Sequence, residues 1–272
     1  MKFSKLVEDM RTIRDYKKEP VNPQIIQEII DIGKNSQGFV QGRNLSIVFI
    51  DNGKEIFEQL SGKAGYFGKM IEAPHYLAIT SKVFPGYIEN SGYIMESMRL
   101  KAWELGLGTC WLNIQDEEAL KELLKIESDD KLTAFVAIGH QYKGIFKKDI
   151  SPKSDRIGID KLIYLNRWES PCPIEELENR GFANVFYYAK FAPSWGNRQP
   201  WRFMIDKDKV LLIVPDQEEA SMKLDAGIMM LYFEKAAHEE GIQGNWKMTM
   251  GDVEKSTYGI PSGYQLKGYF AV

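Results

Sequence analysis

Residues 90–113 have the sequence NSGYIMESMRLKAWELGLGTCWLN, and residues 225–248 have the sequence DAGIMMLYFEKAAHEEGIQGNWKM. The two stretches align without a gap at an offset of 135 residues (227 − 92 = 135; 246 − 111 = 135). The identical positions are Gly92/Gly227, Met95/Met230, Ala102/Ala237, Glu104/Glu239, Gly106/Gly241 and Trp111/Trp246. Average composition would give roughly one or two identities. The match predicts an internal repeat, although two unrelated amphipathic helices that each end at glycine are the alternative.

Apolar runs flank both long helices in the same order. Residues 46–51 (SIVFID) and 201–206 (WRFMID) have strand-like compositions and end at turns. Second apolar runs follow at 76–80 (YLAIT) and 210–214 (VLLIV). Each half is therefore predicted to contain a helix, two strands, a long helix and a further strand.

Composition changes suggest where the halves begin and end. The stretch 144–160 is charged and contains Gly, Pro and Ser, which is typical of a linker. We predict a first half at 1–150, a linker at 151–170 and a second half at 171–272. An extra segment at about 54–74, between the first two strands of the first half, is a candidate lid.

Two helix starts are predicted in the first half. Asn22 can cap a helix, and Pro23 suits the first helical position ahead of the isoleucine-rich stripe at 25–30. Asp116 precedes a second predicted helix at 117–125.

Composition also excludes several classes of function. The net charge of −3 disfavours nucleic acid as the main partner, and no apolar run approaches the roughly 18 residues of a membrane span. The N-terminus has no apolar signal region. Two cysteines and three scattered histidines lack metal-ligand spacing. We expect a soluble cytoplasmic protein with no metal, nucleic-acid or membrane partner.

Three segments contain side chains suited to binding. In the first, Arg11, Thr12 and Arg14 place two guanidinium groups and a hydroxyl within four residues. Guanidinium groups bind phosphate bidentately, and a hydroxyl can serve a phosphate or a sugar. Taken alone, a solvated basic turn explains this segment better.

The second segment is the stretch 192–203, APSWGNRQPWRF. Its asparagine and glutamine amides both donate and accept hydrogen bonds, which suits the edge of a ring that carries both kinds of group. An ordinary loop leading into a strand is the alternative, but the length of the pattern favours a binding role.

The third segment is 106–113, GLGTCWLN. Its glycines can end the preceding helix and let the backbone approach a flat ligand, so that exposed amides could bond a ring nitrogen. By itself it is only a helix end followed by a strand. We interpret Cys110 as a packed small residue rather than a nucleophile, because no partner histidine is evident.

Together these segments and the strand VAIGH at 136–140 resemble the FMN-dependent nitroreductase family. Its members usually contain RSxR, then APSxxNxQPWxF, then GLGxxW, then a strand ending in GYP. The resemblance covers most of the chain, and the loop at 192–203 is its most specific part. Family members are homodimers with FMN at the interface, where one subunit supplies the arginine-rich N-terminus, the glycine turn and a C-terminal Lys/Arg pair, and the other supplies the APSxxNxQPW loop.

This sequence departs from that pattern in a complementary way. Its first half has RTIR and GLGTCW but a degenerate loop at 36–44, SQGFVQGRN. Its second half keeps the loop but has no RSxR equivalent, and its turn at 241–246 is GIQGNW. The resemblance therefore implies the fused, single-chain branch of the family. The implied fold is α+β and nitroreductase-like, with two similar halves, each a mostly antiparallel sheet flanked by helices, forming an internal pseudo-dimer and hence a monomer.

Other departures concern the phosphate and the end of a strand. Met10 stands where many relatives carry an additional basic residue, so phosphate binding depends on Arg11, Arg14 and the stretch 152–156, PKSDR, which resembles the family's terminal Lys/Arg pair. The GYP of the family is Gly-His-Gln at 139–141.

The resemblance implies one FMN per chain and a ping-pong reaction. NAD(P)H would reduce FMN, and a small electron-poor acceptor, a nitro compound or a quinone-like molecule, would then be reduced over the same ring face. The flavin carries the chemistry, so no catalytic side chain is implied. The alternative is an FMN-binding sensor, store or flavin-processing relative without turnover. The implied FMN-binding residues are Arg11, Thr12, Arg14, Thr109, Cys110, Trp111, Leu112, Asn113, Lys153, Arg156, Pro193, Ser194, Trp195, Asn197 and Gln199.

Overall fold

The computed structural model of this protein describes residues 1–36, 45–144, 155–248 and 253–272. The chain divides into two compact units. The first unit is Met10–Lys153, and the second unit is Met1–Asp9 together with Ser154–Val272. Each unit contains one five-stranded sheet. The N-terminal helix α1 (Phe3–Asp9) belongs to the second unit.

The first unit has an antiparallel sheet with helices around it. Its sheet has the strand order β1-β3-β5-β4-β2, and every neighbouring pair is antiparallel. The elements in chain order are α2 (Pro23–Asn35), β1 (Leu45–Ile50), α3 (Gly53–Ile56), β2 (Ala64–Gly65), β3 (His75–Ser81), α4 (Tyr87–Glu104), β4 (Gly108–Ile114), α5 (Glu117–Leu123) and β5 (Lys131–Gly139).

Both predicted helix starts are confirmed. The Asn22 side chain accepts a hydrogen bond from the Gln24 N–H at 2.9 Å, and Pro23 occupies the first turn of α2. The Asp116 side chain accepts from the Ala119 N–H at 3.0 Å and caps α5. Each cap satisfies one of the N–H groups that a helix start leaves without an intrahelical partner.

Part of the candidate lid segment is held by the sheet of the first unit, and whether the segment closes over a ligand stays a prediction. Within 54–74, β2 pairs with the edge of β4, with Ala64 opposite Ile114. The Lys63 carbonyl also accepts from the Gln115 N–H at 2.8 Å. Because Leu60 and Ala64 are buried in the core, detaching this segment would expose apolar surface and break ladder bonds.

The second unit repeats this plan. Its strand order is β6-β7-β8-β10-β9, with β6 parallel to β7 and the other pairs antiparallel. The predicted linker at 151–170 thus includes an edge strand, β6. The elements in chain order are β6 (Ile163–Leu165), α6 (Ile174–Asn179), α7 (Ala183–Ala189), β7 (Arg202–Asp206), β8 (Lys209–Pro215), α8 (Ala220–Glu239), β9 (Asn245–Met248), α9 (Val253–Tyr258) and β10 (Tyr264–Ala271).

The two units share one topology, which confirms the predicted fold class. The order β1-β3-β5-β4 in the first sheet recurs as β7-β8-β10-β9 in the second. In the first unit the long helix α4 follows β3 and the short helix α5 precedes β5. In the second unit the long helix α8 follows β8 and the short helix α9 precedes β10. The strands and helices of the two units therefore follow the same connectivity, as the repeat predicted. None of the described helices combines the length and apolar character needed to cross a membrane.

Both long helices are buried, which explains why their sequences are not simply amphipathic. On α4 even charged and polar side chains such as Glu96, Ser97 and Arg99 are buried. On α8, Phe233 packs against Phe203 and Phe270 at ring-centroid distances of 5.8 Å and 5.2 Å. A helix that is covered on every side needs apolar residues all round, or polar residues that are fully paired.

His75, the first residue of β3, ties two segments of the first unit together. Its side chain is 4% exposed. Its Nε2 accepts from the Val21 N–H at 2.9 Å, and its Nδ1 lies 2.9 Å from the Asp51 carbonyl. Only the neutral ring with its proton on Nδ1 satisfies both bonds. Burial lowers the pKa of His75 from its ordinary value, against the opposing effect of Asp51.

We expect the stability of this protein to fall as the pH drops below about 6.5, the usual pKa of an unfolded histidine. The unfolded chain then takes up a proton that the folded His75 resists, so its stabilising contribution is complete above that pH and is lost below it. The measurement is the free energy of urea unfolding at pH 7.5 and pH 5.5 for the natural chain and His75→Gln. Their difference should shrink at the lower pH, and a difference independent of pH would contradict this assignment.

Candidate functional site

The structure brings the arginine-rich N-terminal segment and the glycine turn together in the first unit. The Ile13 N–H donates to the Thr109 carbonyl at 3.0 Å, at the start of β4. A Cβ atom added at Gly108 would lie 2.6 Å from the Ile13 side chain. Gly108 therefore allows the Ile13 side chain to pack closely against the start of β4.

The residues that follow are held by the end of β5. The Lys17 N–H donates to the His140 carbonyl at 2.8 Å, and the Tyr142 N–H donates to the Asp15 carbonyl at 2.9 Å. The buried Tyr16 hydroxyl donates to the Ile13 carbonyl at 2.6 Å. Burial raises the pKa of Tyr16 well above its ordinary value, which keeps this hydroxyl protonated as a donor.

Arg14 lies on the wall of a cleft, whereas Arg11 is exposed and Thr12 is half-buried. The Arg14 Nη2 donates to the Tyr66 hydroxyl at 2.9 Å, and its guanidinium carbon is 4.4 Å from the centre of the Tyr66 ring. Stacking on an aromatic ring restrains a guanidinium group while leaving its charge in place.

The cleft has a volume of about 1050 Å³ and lies within the first unit. This is the size of small-molecule sites, which usually occupy about 300–1,000 Å³. Five of its side chains are cationic and three are carboxylates, beside aromatic and apolar groups. The lining residues are Arg14, Asp15, Tyr16, Lys17, Lys18, Glu19, Lys54, Phe57, Lys69, Met70, Ile71, Glu72, Ala73, Pro74 and Tyr142.

The predicted site residues at 109–113 form strand β4. Because the Thr109 carbonyl bonds to Ile13 rather than to β5, the polar main-chain groups of Thr109 and Trp111 point towards the other edge of β4. Cys110 is fully buried, which confirms its interpretation as a packed residue. The strand thus directs a short row of main-chain polar groups towards the edge where the arginine-rich segment lies.

In the second unit the APSWGNRQPW loop has a strained backbone. Gly196, Asn197 and Gln199 have φ values of 58°, 56° and 50°. Such a conformation is unfavourable for a residue like glutamine and must be held by its surroundings. The Gln199 N–H donates to the Ser194 hydroxyl at 2.9 Å, which closes the loop on itself.

The loop amides bind the backbone just before β6. The Asn197 Nδ2 donates to the Asp155 carbonyl at 2.9 Å, and the Ile157 N–H donates to the Gln199 Oε1 at 2.9 Å. The sequence had predicted that these amides contact a ligand ring. In this structure they hold the segment 155–157 against the loop, so they position Arg156. The other member of the predicted Lys/Arg pair, Lys153, lies outside the described residues.

Arg156 is a half-buried cation without a carboxylate partner among the described residues. Its Nη1 donates to the Asn197 Oδ1 at 2.5 Å, and its Nη2 donates to the Phe191 carbonyl at 3.1 Å. Its Nε is buried and has no hydrogen-bond partner in the described part of the chain. Burial lowers the pKa of Arg156, yet an arginine stays charged near neutral pH. A positive charge that meets only neutral oxygens is suited to an anion.

Asp225 anchors the start of the same loop. This carboxylate of α8 is 4% exposed, and both of its oxygens accept from the Trp195 N–H at 3.1 Å. Trp195 in turn lies under Arg198, whose guanidinium carbon is 4.1 Å from the indole ring. Pro193 and Ser194 precede it and are half-buried.

Comparison with known proteins identifies the family. A family model described as "Putative TM nitroreductase" matches residues 2–237. This chain belongs to that nitroreductase family. The resemblance predicted from the three segments is therefore confirmed. No curated protein matches the sequence.

Solved structures place this nitroreductase-family chain among proteins of the same fold. A protein from Thermotoga maritima described as a putative nitroreductase is 14% identical, with a TM-score of 0.63 over 100% of this chain and 94% of that one. The hypothetical oxidoreductase YcnD of Bacillus subtilis is 20% identical, with a TM-score of 0.50 over 70% of this chain and 83% of that one. A protein of Bacteroides fragilis described as a putative oxidoreductase is 18% identical, with a TM-score of 0.51 over 64% of this chain and 77% of that one. At these identities the likeness concerns the fold alone.

Sequence reasoning about this nitroreductase-family chain missed Asp225 and the buried pair of Glu96 and Arg99 on α4. The sequence contained one signal for Asp225, because the repeat aligns it with Asn90 (225 − 90 = 135). Asn90 is also buried, and its Oδ1 has no hydrogen-bond partner among the described residues. The same helix position thus carries a hydrogen-bond acceptor in both units. Among the described residues, only the acceptor in the second unit, Asp225, receives a hydrogen bond.

Proposed function

We propose that this chain binds one FMN and acts as an oxidoreductase that passes a hydride from NAD(P)H through the flavin to a small electron-poor acceptor. The acceptor class is a nitro compound or a quinone-like molecule. The proposed binding residues are those that the family resemblance implies, with Arg156 as a phosphate ligand.

The observation that carries this proposal is the guanidinium group of Arg156. It is partly desolvated, it meets only neutral oxygens among the described residues, and its buried Nε has no partner there. A phosphate dianion would complete these contacts with charge-assisted hydrogen bonds, which are the strongest kind available to arginine. FMN, unlike riboflavin, supplies such a group.

The first unit offers features that support the same proposal. The cleft at Arg14 has the volume of a small-molecule site, with cationic and aromatic walls. The main-chain groups of Thr109 and Trp111 face one edge of β4, where an N–H can orient a heteroaromatic ring and steady negative charge on it. A bound flavin supplies the redox chemistry, so the chain needs only to bind, orient and shield it.

The visible spectrum of the purified chain tests this proposal. We expect the yellow absorption of bound flavin and, after denaturation, a ratio of one FMN released per chain. A ratio near two would contradict the single site, and a colourless chain that takes up no added FMN would overturn the proposal.

Anaerobic addition of NADH and of NADPH to the same sample tests the reaction. Bleaching of the flavin, followed by recovery on addition of a nitro compound or quinone, is the expected result. Bound FMN that neither nucleotide reduces would instead indicate a flavin sensor, store or processing protein. Light scattering on this sample tests the monomeric state that we propose.

A further inference from the structure

A buried ion pair lies on α4 in the first unit. The Arg99 Nη1 is 2.5 Å from the Glu96 Oε2, and the side chains of Arg99 and Glu96 are 2% and 0% exposed. Removing two charges from water is costly, and apolar residues of similar volume would often serve the core equally well or better. The pair therefore calls for an explanation other than packing.

Both members of the pair are bonded to β4. The Arg99 Nε donates to the Thr109 hydroxyl at 3.0 Å, and the Trp111 Nε1 donates to the Glu96 Oε2 at 2.8 Å. Thr109 and Trp111 are two residues apart, so their side chains share the face of β4 that meets α4. These are the same two residues whose main-chain groups point to the strand edge beside Ile13. The pair thus restrains two adjacent main-chain positions on that edge.

The second unit shows that the tryptophan alone does not need this pair. Trp246 is the repeat equivalent of Trp111, and its Nε1 donates to the neutral Met230 carbonyl at 2.8 Å. The positions equivalent to Glu96 and Arg99 are Leu231 (231 − 96 = 135) and Glu234 (234 − 99 = 135). A neutral acceptor is therefore sufficient to bond the equivalent indole to the equivalent helix. The ion pair occurs in the unit that carries RTIR and GLGTCW, and the aligned positions of the other unit do not repeat it.

We propose that Glu96 and Arg99 are positioning residues, which hold the Thr109–Trp111 main chain in register for the flavin ring. This inference rests on the proposed FMN function. It assigns to the pair no contact with substrate or flavin. Its role is to fix the main-chain N–H direction on which ring orientation depends, because a misaligned donor loses most of its hydrogen-bond strength.

The decisive variant is the double substitution Glu96→Leu/Arg99→Met, which replaces the pair by apolar residues of similar volume. We expect it to fold with a thermal midpoint, measured without FMN, within a few degrees of that of the natural chain, because the desolvation cost that it removes offsets the bonds that Thr109 and Trp111 lose. We also expect its dissociation constant for FMN to rise at least tenfold, and the midpoint potential of the bound flavin to become more negative. If the pair had a purely structural role, a variant with nearly unchanged thermal stability would also keep its FMN affinity and its flavin midpoint potential.

Two further variants complete the test. Arg99→Lys keeps the cation but removes the Nε–H that bonds to Thr109, and it should weaken FMN binding in the same direction by a smaller factor. Trp246→Phe, the control in the second unit, deletes an indole hydrogen bond of similar length and should leave FMN affinity unchanged.

The outcomes separate this inference from the function on which it rests. A natural chain that binds no FMN overturns the proposed function and the inference with it. A natural chain that binds FMN, beside a double variant with the same affinity and the same potential, overturns only the inference. If the double variant fails to fold, the comparison of Arg99→Lys with Trp246→Phe decides, and equal FMN affinities in those two variants reject the positioning role.

Discussion

Asn197→Asp should abolish most of the affinity of this protein for FMN while leaving its fold intact. The substitution keeps the size of the side chain, and aspartate tolerates the positive φ of this position nearly as well as asparagine. It places a carboxylate oxygen where the Asn197 Oδ1 now accepts from the Arg156 Nη1 at 2.5 Å. The cation that should receive the phosphate would then be neutralised within the chain itself.

The expected effect is large because two terms add. Loss of a charge-assisted phosphate contact costs about 1.5–3 kcal/mol, which is about tenfold to hundredfold in dissociation constant. Repulsion between the new carboxylate and the phosphate adds to this loss. We therefore expect affinity to fall by about a hundredfold or more. The thermal midpoint should change little, because the new ion pair offsets the lost bond from the Asn197 Nδ2 to the Asp155 carbonyl.

Fluorescence titration with FMN and with riboflavin measures this effect. Because riboflavin has no phosphate, its affinity should fall by a much smaller factor than that of FMN in Asn197→Asp. Asn44→Asp is the matched control: Asn44 belongs to the degenerate loop of the first half and lies outside the described residues. An equal loss of FMN binding in both variants would show that the altered total charge, rather than the neighbour of Arg156, causes the effect.

Arg156→Ala should raise the dissociation constant for FMN by about tenfold to hundredfold, the cost of one charge-assisted contact of about 1.5–3 kcal/mol. The change removes the buried Nε, which has no hydrogen-bond partner among the described residues, together with the two Nη donors of the guanidinium group. Riboflavin affinity should again fall by a much smaller factor than FMN affinity. Since the variant also leaves the Phe191 carbonyl and the Asn197 amide without a donor, its thermal midpoint should fall by a few degrees.

Arg180→Ala is the control for this second prediction. Arg180 is also in the second unit, but its Nε bonds to Glu176 in an ion pair in which both side chains are 32% exposed. Surface pairs of this kind contribute little. FMN affinity should therefore not change in Arg180→Ala. If Arg156→Ala also binds FMN normally, the phosphate is bound elsewhere, and Lys153 or Arg11 becomes the candidate.

Local pattern predicted part of the elements and their order. Asn22 and Pro23 predicted where α2 starts, and Asp116 predicted where α5 starts, because helix caps act within three residues of the chain. The alignment at an offset of 135 predicted that two halves share one connectivity, and the two sheets have it. The pairing of Ala64 with Ile114, inside the candidate lid segment, was not predicted, because it joins residues that no local pattern connects.

The loop at 192–203 was singled out from sequence, but the hydrogen bonds that its amides make in this structure were not predicted. The amides of Asn197 and Gln199 suit a ring edge equally well or a neighbouring backbone. The structure shows that they bond to residues 155 and 157, which are 42 positions away along the chain. Whether a side chain contacts a ligand or another part of the protein depends on which distant segment packs beside it. The composition of the loop does not predict which segment that is.

By itself, the sequence determined the internal repeat, the α+β connectivity of both halves and the membership of the nitroreductase family, because periodic burial and short motifs are local properties. Only the tertiary structure decided that Asp225 holds the Trp195 N–H, that Arg156 is left without a carboxylate among the described residues, and that Glu96 and Arg99 restrain β4. The physical reason is the same in each case. A hydrogen bond between elements depends on distance and angle within a fraction of an ångström and a few tens of degrees, which packing of the whole unit sets and no single segment encodes.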